Sequence, residues 1–355
     1  MVQATNRGRP TLEAVAARAG VSRATVSRVV NGGAGVRAEV RERVRRAIAD
    51  LGYVPNSAAR SLVTRRTGAV AVVIAEPETR VFADPFFGRQ LRGISRELSA
   101  ADTQLLLLLH ENSADYERIG RYLSAGHVDG VLMFSLHRDD PLPAMAAASG
   151  LPTVFGGRPG WAGAERAPRP LYVDTDNRDG ARQAVRHLLA RGRRRIAVIT
   201  GPLDQTSAQD RLDGYLDALA PAAPDPRLIA DGGFTAAGGE RAMARLLAAA
   251  PDLDAVFACS DLMASGALRT LRAHGRRVPQ DVGVVGYDDL DPAAWTDPPL
   301  TTVRQDVEEM GRLMARLLLR RLATDGAADG TGPEAAGAGP SPVITAATLV
   351  VRESG

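Results

Sequence analysis

Two sets of side chains in this sequence have the types and spacings to do chemistry, and the chemistry differs. The first is Arg23, Ala24, Ser27, Arg28 and Asn31, which recur at i, i+1, i+4, i+5 and i+8 and so share one polar stripe of a helix. A guanidinium in such a stripe can meet O6 and N7 of guanine with two parallel hydrogen bonds, and a small apolar side chain beside it can meet a thymine methyl. Arg23, Ala24 and Arg28 are therefore the expected base readers, Arg28 taking guanine and Ala24 the methyl. Ser22, Thr25, Ser27 and Asn31 are expected to grip phosphates and fix register. The competing reading is an ordinary solvated helix pair, and charge weighs against it. Residues 1–66 hold 13 arginines against Glu13, Glu39, Glu42 and Asp50, a net +9, while the rest of the chain carries −6. A basic head on an acidic body is the pattern of a nucleic-acid-binding segment with a separate function behind it.

The second set lies where short β-branched runs alternate with amphipathic stretches. In doubly wound sheets a ligand sits beyond the carboxyl ends of the strands. Those positions give Asp84-Pro-Phe-Phe87, Gly201 to Arg211 (with Gln205 and Ser207), Ser260-Asp261 and Tyr287-Asp288-Asp289, and Phe234 adds a ring on a glycine-flanked loop. Carboxylate, guanidinium and aromatic faces in one cleft suit a polyhydroxylated ligand: the ions bond neighbouring hydroxyls and the rings cover the C–H face. The structural alternatives are that Asp289 caps a helix, that Phe86 or Phe87 is core, and that Trp295 packs between lobes. Catalysis finds no support. There is no Gly-x-Ser-x-Gly elbow and no Walker loop, and Gly33-Ala-Gly35-Val-Arg-Ala38 follows a helix, not a strand. The histidines 110, 127, 137, 187 and 274 lack ligand spacing, His187 reads as structural, and Cys259 is alone. No catalytic residue, metal or cofactor is expected.

The elements that must position these groups follow from the pattern. Thr11 is an N-cap, Gly20 suits a helix end and Ser22 caps the next helix. Leu12, Val15, Ala19, Val21, Val26 and Val30 bury one side of the pair. A third helix presents Val40, Val44, Ile48 and Leu51 inward with Arg41, Arg45 and Arg46 outside, and Gly52 ends it. Asn56 to Leu62 is a helical turn or two with almost no core, too short to hold by itself. From Ala69 the runs Ala69–Ile74, 105–109, 128–134, 153–155, 196–200, 255–258 and 282–285 alternate with helices, which implies parallel sheets covered on both faces. Residues 323–342, rich in Gly, Ala and Pro, read as a disordered insertion, and Val343–Arg352 returns to strand character. No stretch approaches the ~18 apolar residues of a membrane span, and no apolar run follows the charged first residues. A soluble, cytoplasmic chain without membrane contact is expected.

Thr11 to Asn31, the Leu51-Gly-Tyr-Val-Pro-Asn56 junction and Ala59-Arg60-Ser61-Leu62 together resemble the LacI/GalR family of bacterial transcription regulators. The resemblance continues through Val173-Asp-Thr-Asp-Asn177, Val284-Val-Gly-Tyr-Asp-Asp289 and Pro299-Leu-Thr-Thr-Val303, and departs at Arg37, where the family usually has Ser or Thr. It implies a helix-turn-helix head (1–51), a hinge (52–67, helix 56–62) and a two-lobed α/β sensor of the periplasmic-binding-protein type (68–355). Lobe 1 would be about 68–172 with 301–335, and lobe 2 about 173–300 with 343–355. It also implies a homodimer on a pseudo-palindromic double-stranded operator. Thr11, Tyr53, Asn56, Ala59 and Arg60 would lie on the DNA side, and Leu62 would wedge into the minor groove. Arg211 and Asp288 match the family's effector-binding pair, Phe87 and Phe234 its pocket rings, and Ser260 stands where sugar-responsive members carry Asn. Asp84, Phe86, Gln205 and Ser207 complete the expected pocket. The effector is then a sugar, with a nucleoside or purine co-repressor as the alternative and a solute-binding protein as a more remote one.

Overall fold

The computed structural model describes residues 10–30, 33, 35–54, 66–110, 113–161, 169–220, 225–327 and 341–355. Two units emerge, one ending at Gly68 and one beginning at Ala69. In the first, α1 (Leu12–Ala19) starts where Thr11 Oγ1 accepts the Ala14 amide at 3.3 Å, and ends at Gly20 with φ +63°, a backbone that costs glycine nothing. Ser22 Oγ accepts the Thr25 amide at 3.2 Å and caps α2 (Arg23–Val30). The third helix, α3 (Ala38–Leu51), begins at Arg37 without a side-chain cap, as the departure there implies. Val15, Ala16, Ala19, Val26, Val44, Ala47 and Tyr53 form the buried core, with Leu12, Val21, Val30, Ile48 and Leu51 packed on it. Asn31, Asn56, Ala59, Arg60 and Leu62, and with them the expected hinge helix, lie outside the described residues.

The second unit has two six-stranded sheets. The chain enters lobe 1 with β1 (Ala69–Ile74), α4 (Glu78–Ala83), α5 (Pro85–Ala100), β2 (Gln104–Leu109), α6 (Ser113–Ser124), β3 (Gly130–Phe134), α7 (Leu142–Ala148), β4 (Thr153–Gly156) and β5 (Leu171–Thr175). It then builds lobe 2 with α8 (Asn177–Ala190), β6 (Ile196–Thr200), α9 (Thr206–Leu219), β7 (Ile229–Asp231), α10 (Ala236–Ala249), β8 (Ala255–Ala258), α11 (Asp261–Ala273), β9 (Gly283–Asp288) and β10 (Thr301–Arg304). Next α12 (Val307–Ala327) packs back on lobe 1, β11 (Val343–Thr345) joins the first sheet and β12 (Thr348–Val350) the second. The orders are β11-β5-β4-β3-β1-β2 and β12-β10-β9-β8-β6-β7, and every pair is parallel except β10 with β12. The period of two along β1 explains the layers. Val70, Val72 and Ile74 face α5 and α12, while Ala71 and Val73 face α6 and α7.

The crossings between lobes correct three expected boundaries. Val173–Thr175 and Val343–Thr345 pair with each other in lobe 1, not lobe 2. Thr301–Arg304 belongs to lobe 2, not lobe 1: it runs beside Val285–Asp288, and Thr302 Oγ1 donates to the buried Asp261 carboxylate at 2.5 Å. Residues 323–327 continue α12 and are no part of an insertion, because the Leu317, Leu318 and Leu322 face of that helix is held against lobe 1. The remainder of that stretch, 328–340, lies outside the described residues.

Helices α5 and α12 cross so closely that a Cβ on Gly93 would stand 2.0 Å from the Glu308 carbonyl oxygen. Backbone cannot yield as a side chain does. Gly93→Ala should therefore destabilise lobe 1 by about 1–3 kcal/mol and lower its thermal midpoint by several degrees. A melt indistinguishable from wild type would show that the crossing has slack.

Candidate effector cleft and DNA-reading helix

On α2 the side chains of Arg23, Ala24 and Arg28 are exposed, as are Ser22 and Thr11, while Thr25 and Ser27 are half-buried. Arg23 Nε meets Glu13 Oε1 at 2.9 Å with both side chains largely in water, a pair weak enough for DNA to replace. Ser22, Thr25 and Thr11 also serve the helix starts, since Ser22 Oγ and Thr25 Oγ1 share a 2.9 Å bond. Tyr53 differs from expectation: it is only 8% exposed and packs in the core of the head, because its amide bonds back to Ile48 and turns the ring inward.

All nine expected effector-site residues line one cleft between the lobes of the second unit, about 920 Å³ including its open mouth. Asp84, Phe86 and Phe87 come from the start of α5, and Gln205, Ser207 and Arg211 from the turn after β6 and from α9. Phe234 follows β7, Ser260 follows β8, and Asp288 ends β9. Arg211 is the centre of this arrangement. Its Nε donates to Asn177 Oδ1 at 2.8 Å and its Nη1 to the Cys259 carbonyl at 2.6 Å, with Asp288 Oδ1 3.7 Å away. The guanidinium carbon lies 3.6 Å from the Tyr287 ring centroid and 5.8 Å from that of Phe234, so cation–π attraction adds to its hold. Phe234 itself fills the space a side chain at residue 201 would need: a Cβ on Gly201 would stand 2.2 Å from its ring.

Asp288 adopts φ +113°, an uncommon backbone for a non-glycine residue, and Gln305 donates to its Oδ1 at 2.6 Å. Burial pushes its carboxyl up to about 7, with the Asp84 charge adding to the rise and Arg211 and the Gln305 bond opposing it. Burial likewise raises Asp84, whose Oδ1 caps α5 through the Phe86 amide at 2.9 Å. Ser260 is also a cap, accepting the Met263 amide at 3.2 Å. Asp289 caps no helix. It turns away from Asp288 to pair with Arg304 at 2.7 Å and Arg352 at 2.6 Å. Phe87 is both core and cleft wall, and Phe86 stands edge-on to it.

The cleft contains residues that the sequence reading passed over: Arg80, Phe134, Ser135, His137, Arg158, Asn177 and Gln305. Ser135 to His137 follow β3 and Arg158 follows β4, so the strand-end rule that found Asp288 would have found them too. Trp295 is a correction. It is 80% exposed on the turn Asp291–Trp295, where Leu290 and Ala293 take the inward positions, and so does not pack the lobes.

A helix-turn-helix with exposed arginines in one unit and a two-lobed cleft in the other are the parts of a ligand-responsive DNA-binding regulator. Residues 11–56 match the bacterial regulatory proteins of the lacI family, and residues 185–354 match the periplasmic binding protein-like domain. The chain is 50% identical over 351 residues to the HTH-type transcriptional regulator CelR of Thermobifida fusca, spanning 98% of this chain and 99% of that one. It is 34% identical over 318 residues to the ribose operon repressor of Haemophilus influenzae, with 88% and 92% covered. Among solved structures, a transcriptional regulator CelR–cellobiose complex aligns with TM-score 0.75 at 48% identity, over 98% of this chain and 100% of that one. The lac repressor dimer bound to operator and the anti-inducer ONPF aligns with TM-score 0.81 at 27% identity, over 98% and 99%. The chain belongs to the lacI family and is a transcriptional regulator. Its described residues include no helix long and apolar enough to cross a membrane.

Proposed function

We propose that this regulator is a cytoplasmic homodimeric repressor of carbohydrate-utilisation genes, that its cleft binds a neutral disaccharide, and that cellobiose is the first candidate. The observation that carries the ligand class is the charge balance of the cleft. Arg80 faces Glu76 at 2.5 Å, Arg158 meets Asp210 at 2.7 Å, and Arg211 is held by Asn177, the Cys259 carbonyl and Asp288. With these three guanidinium groups already matched and Arg138 exposed at the mouth, the carboxyls of Asp84 and Asp288 can accept from sugar hydroxyls between aromatic walls. The cellobiose named in the complex of the 48%-identical regulator fits that chemistry. Arg23, Ala24 and Arg28 read the bases of a pseudo-palindromic operator, and the protein performs no catalytic step.

A mobility-shift titration tests this reading. Cellobiose should change the affinity for the cognate operator by about 5- to 150-fold, the span of ordinary allosteric coupling. Monosaccharides, nucleosides and purines at the same concentration should not. A response to a purine and not to a disaccharide would overturn the effector class.

A further inference from the structure

Four donors converge on one carboxylate oxygen at the side of the cleft, and one of them comes from the opposite lobe. Glu76, almost wholly buried after β1, receives at Oε1 the hydroxyl of Ser135 at 2.6 Å, Nη1 of Arg80 at 2.5 Å and Nε2 of Gln205 at 2.8 Å. The imidazole of His137 completes the set with Nε2 at 3.5 Å, while its Nδ1 reaches Asp204 Oδ2 at 2.8 Å. Glu76, Arg80, Ser135 and His137 belong to lobe 1, and Asp204 and Gln205 to lobe 2. Gln205 Nε2 also lies within 3.1 Å of His137 Nε2, and the ring stands between two carboxylates, Asp204 at one nitrogen and Glu76 beyond the other.

We propose that His137 and Gln205 are positioning residues that clasp the two lobes shut over the effector, and that the clasp makes effector binding proton-linked. The inference rests on the effector reading above. His137 and Asp204 are 33% and 50% exposed on turns, so their contact fixes neither lobe's fold and exists only when the lobes are brought together. The charged groups around His137 are Glu76 and Asp204 in contact with it, Arg80 behind Glu76, and Arg138 and Asp140 on its own turn. The Glu76 bond, opposed by burial and reinforced by Asp204, pushes the imidazole up to about 9. Parting the lobes removes Asp204 and Gln205, so the open form holds the proton less tightly. A group raised in the closed form favours closure below its open-form value and loses that advantage as pH climbs through the closed one. Effector affinity should therefore fall on the alkaline side. Little else near the cleft titrates there: the sequence has no lysine, and burial pushes the Cys259 thiol up to about 12. Asp288 governs the separate acid limb. Other polar bridges between lobes, among them Arg158 to Asp210, Thr206 Oγ1 to the Arg158 carbonyl and Arg89 to Asp291, contain no imidazole.

Calorimetric titration of the full-length protein with cellobiose from pH 6 to 10 tests the clasp. Wild type should lose about tenfold in affinity between pH 6 and 10, about fivefold of it above pH 8, the consequence of a one-unit difference between open and closed forms. His137→Gln should bind more weakly at pH 7.5, keep the acid limb and lose the alkaline one. Asp204→Asn should flatten the alkaline limb while circular dichroism remains that of wild type. A wild-type profile flat above pH 8, or an alkaline limb that persists in His137→Gln, overturns the clasp. Failure of wild type to bind the disaccharide at any pH overturns the effector reading itself, and this inference with it.

Discussion

Asp288→Asn should leave operator affinity at its wild-type value and weaken effector binding about 100-fold, as two charge-assisted hydrogen bonds of roughly 1.5–3 kcal/mol each are reduced to neutral ones. The substitution is chosen to spare the fold. Asparagine has nearly the same volume and tolerates the positive φ that Asp288 adopts, and its side-chain oxygen can still accept from Gln305. Arg211 keeps Asn177 and the Cys259 carbonyl. What disappears is a buried negative charge beside Arg211, the feature the cleft offers to hydroxyl donors. Calorimetry with the disaccharide and a mobility shift on operator should separate the two activities. Unchanged effector affinity would remove Asp288 from the pocket.

The second large effect is expected on the other unit. Arg28→Ala should cost about 1–3 kcal/mol per half-site, the discrimination carried by one bidentate guanine contact, and should relax specificity at a single base pair in each half. Arg28 is exposed, and the Gly33 amide bonds to its backbone carbonyl at 2.8 Å, so truncating the side chain leaves the turn of the head intact. Binding measured against a set of single-base operator variants reads the outcome. A uniform loss across all variants, with a shallower salt dependence, would make Arg28 a phosphate contact.

Both halves of this architecture were readable because each rests on a local rule. The α1–α2 pair follows from caps and valine spacing, and the burial of β1 on both faces is written in the unbroken apolar run Ala69–Ile74. The cleft was legible where the strand-end rule was applied, and all nine residues chosen by it or by family resemblance line it. It was incomplete where the rule stopped early. Glu76 and His137 acquire their environment from Asp204 and Gln205, more than 60 residues away, and no periodicity records a contact made between lobes. The lobe boundaries failed for a related reason. Thr301–Arg304 reads as a strand of either sheet, and only its pairing with Val285–Asp288 assigns it. Trp295 shows the limit of hydrophobicity as a guide, since a large ring on a short turn goes wherever its smaller neighbours leave it.

The sheet orders carry a mechanical consequence. The three places where the chain passes from lobe to lobe all lie at the β5–β11 edge of one sheet and the β10–β12 edge of the other. His137 follows β3, two strands inward, and Asp204 follows β6, three strands inward. At about 4.8 Å per strand the imidazole–carboxylate contact sits on an arm of roughly 10–14 Å from that pivot. A swing of about 10° then separates the two groups by roughly 2 Å, enough to break a hydrogen bond. Asn177 and Gln305, beside the pivot, would scarcely move. A contact well out along the molecule's jaw is thus a sensitive gauge of its angle, and a fluorophore pair placed there would register a gape that probes nearer the fulcrum would miss.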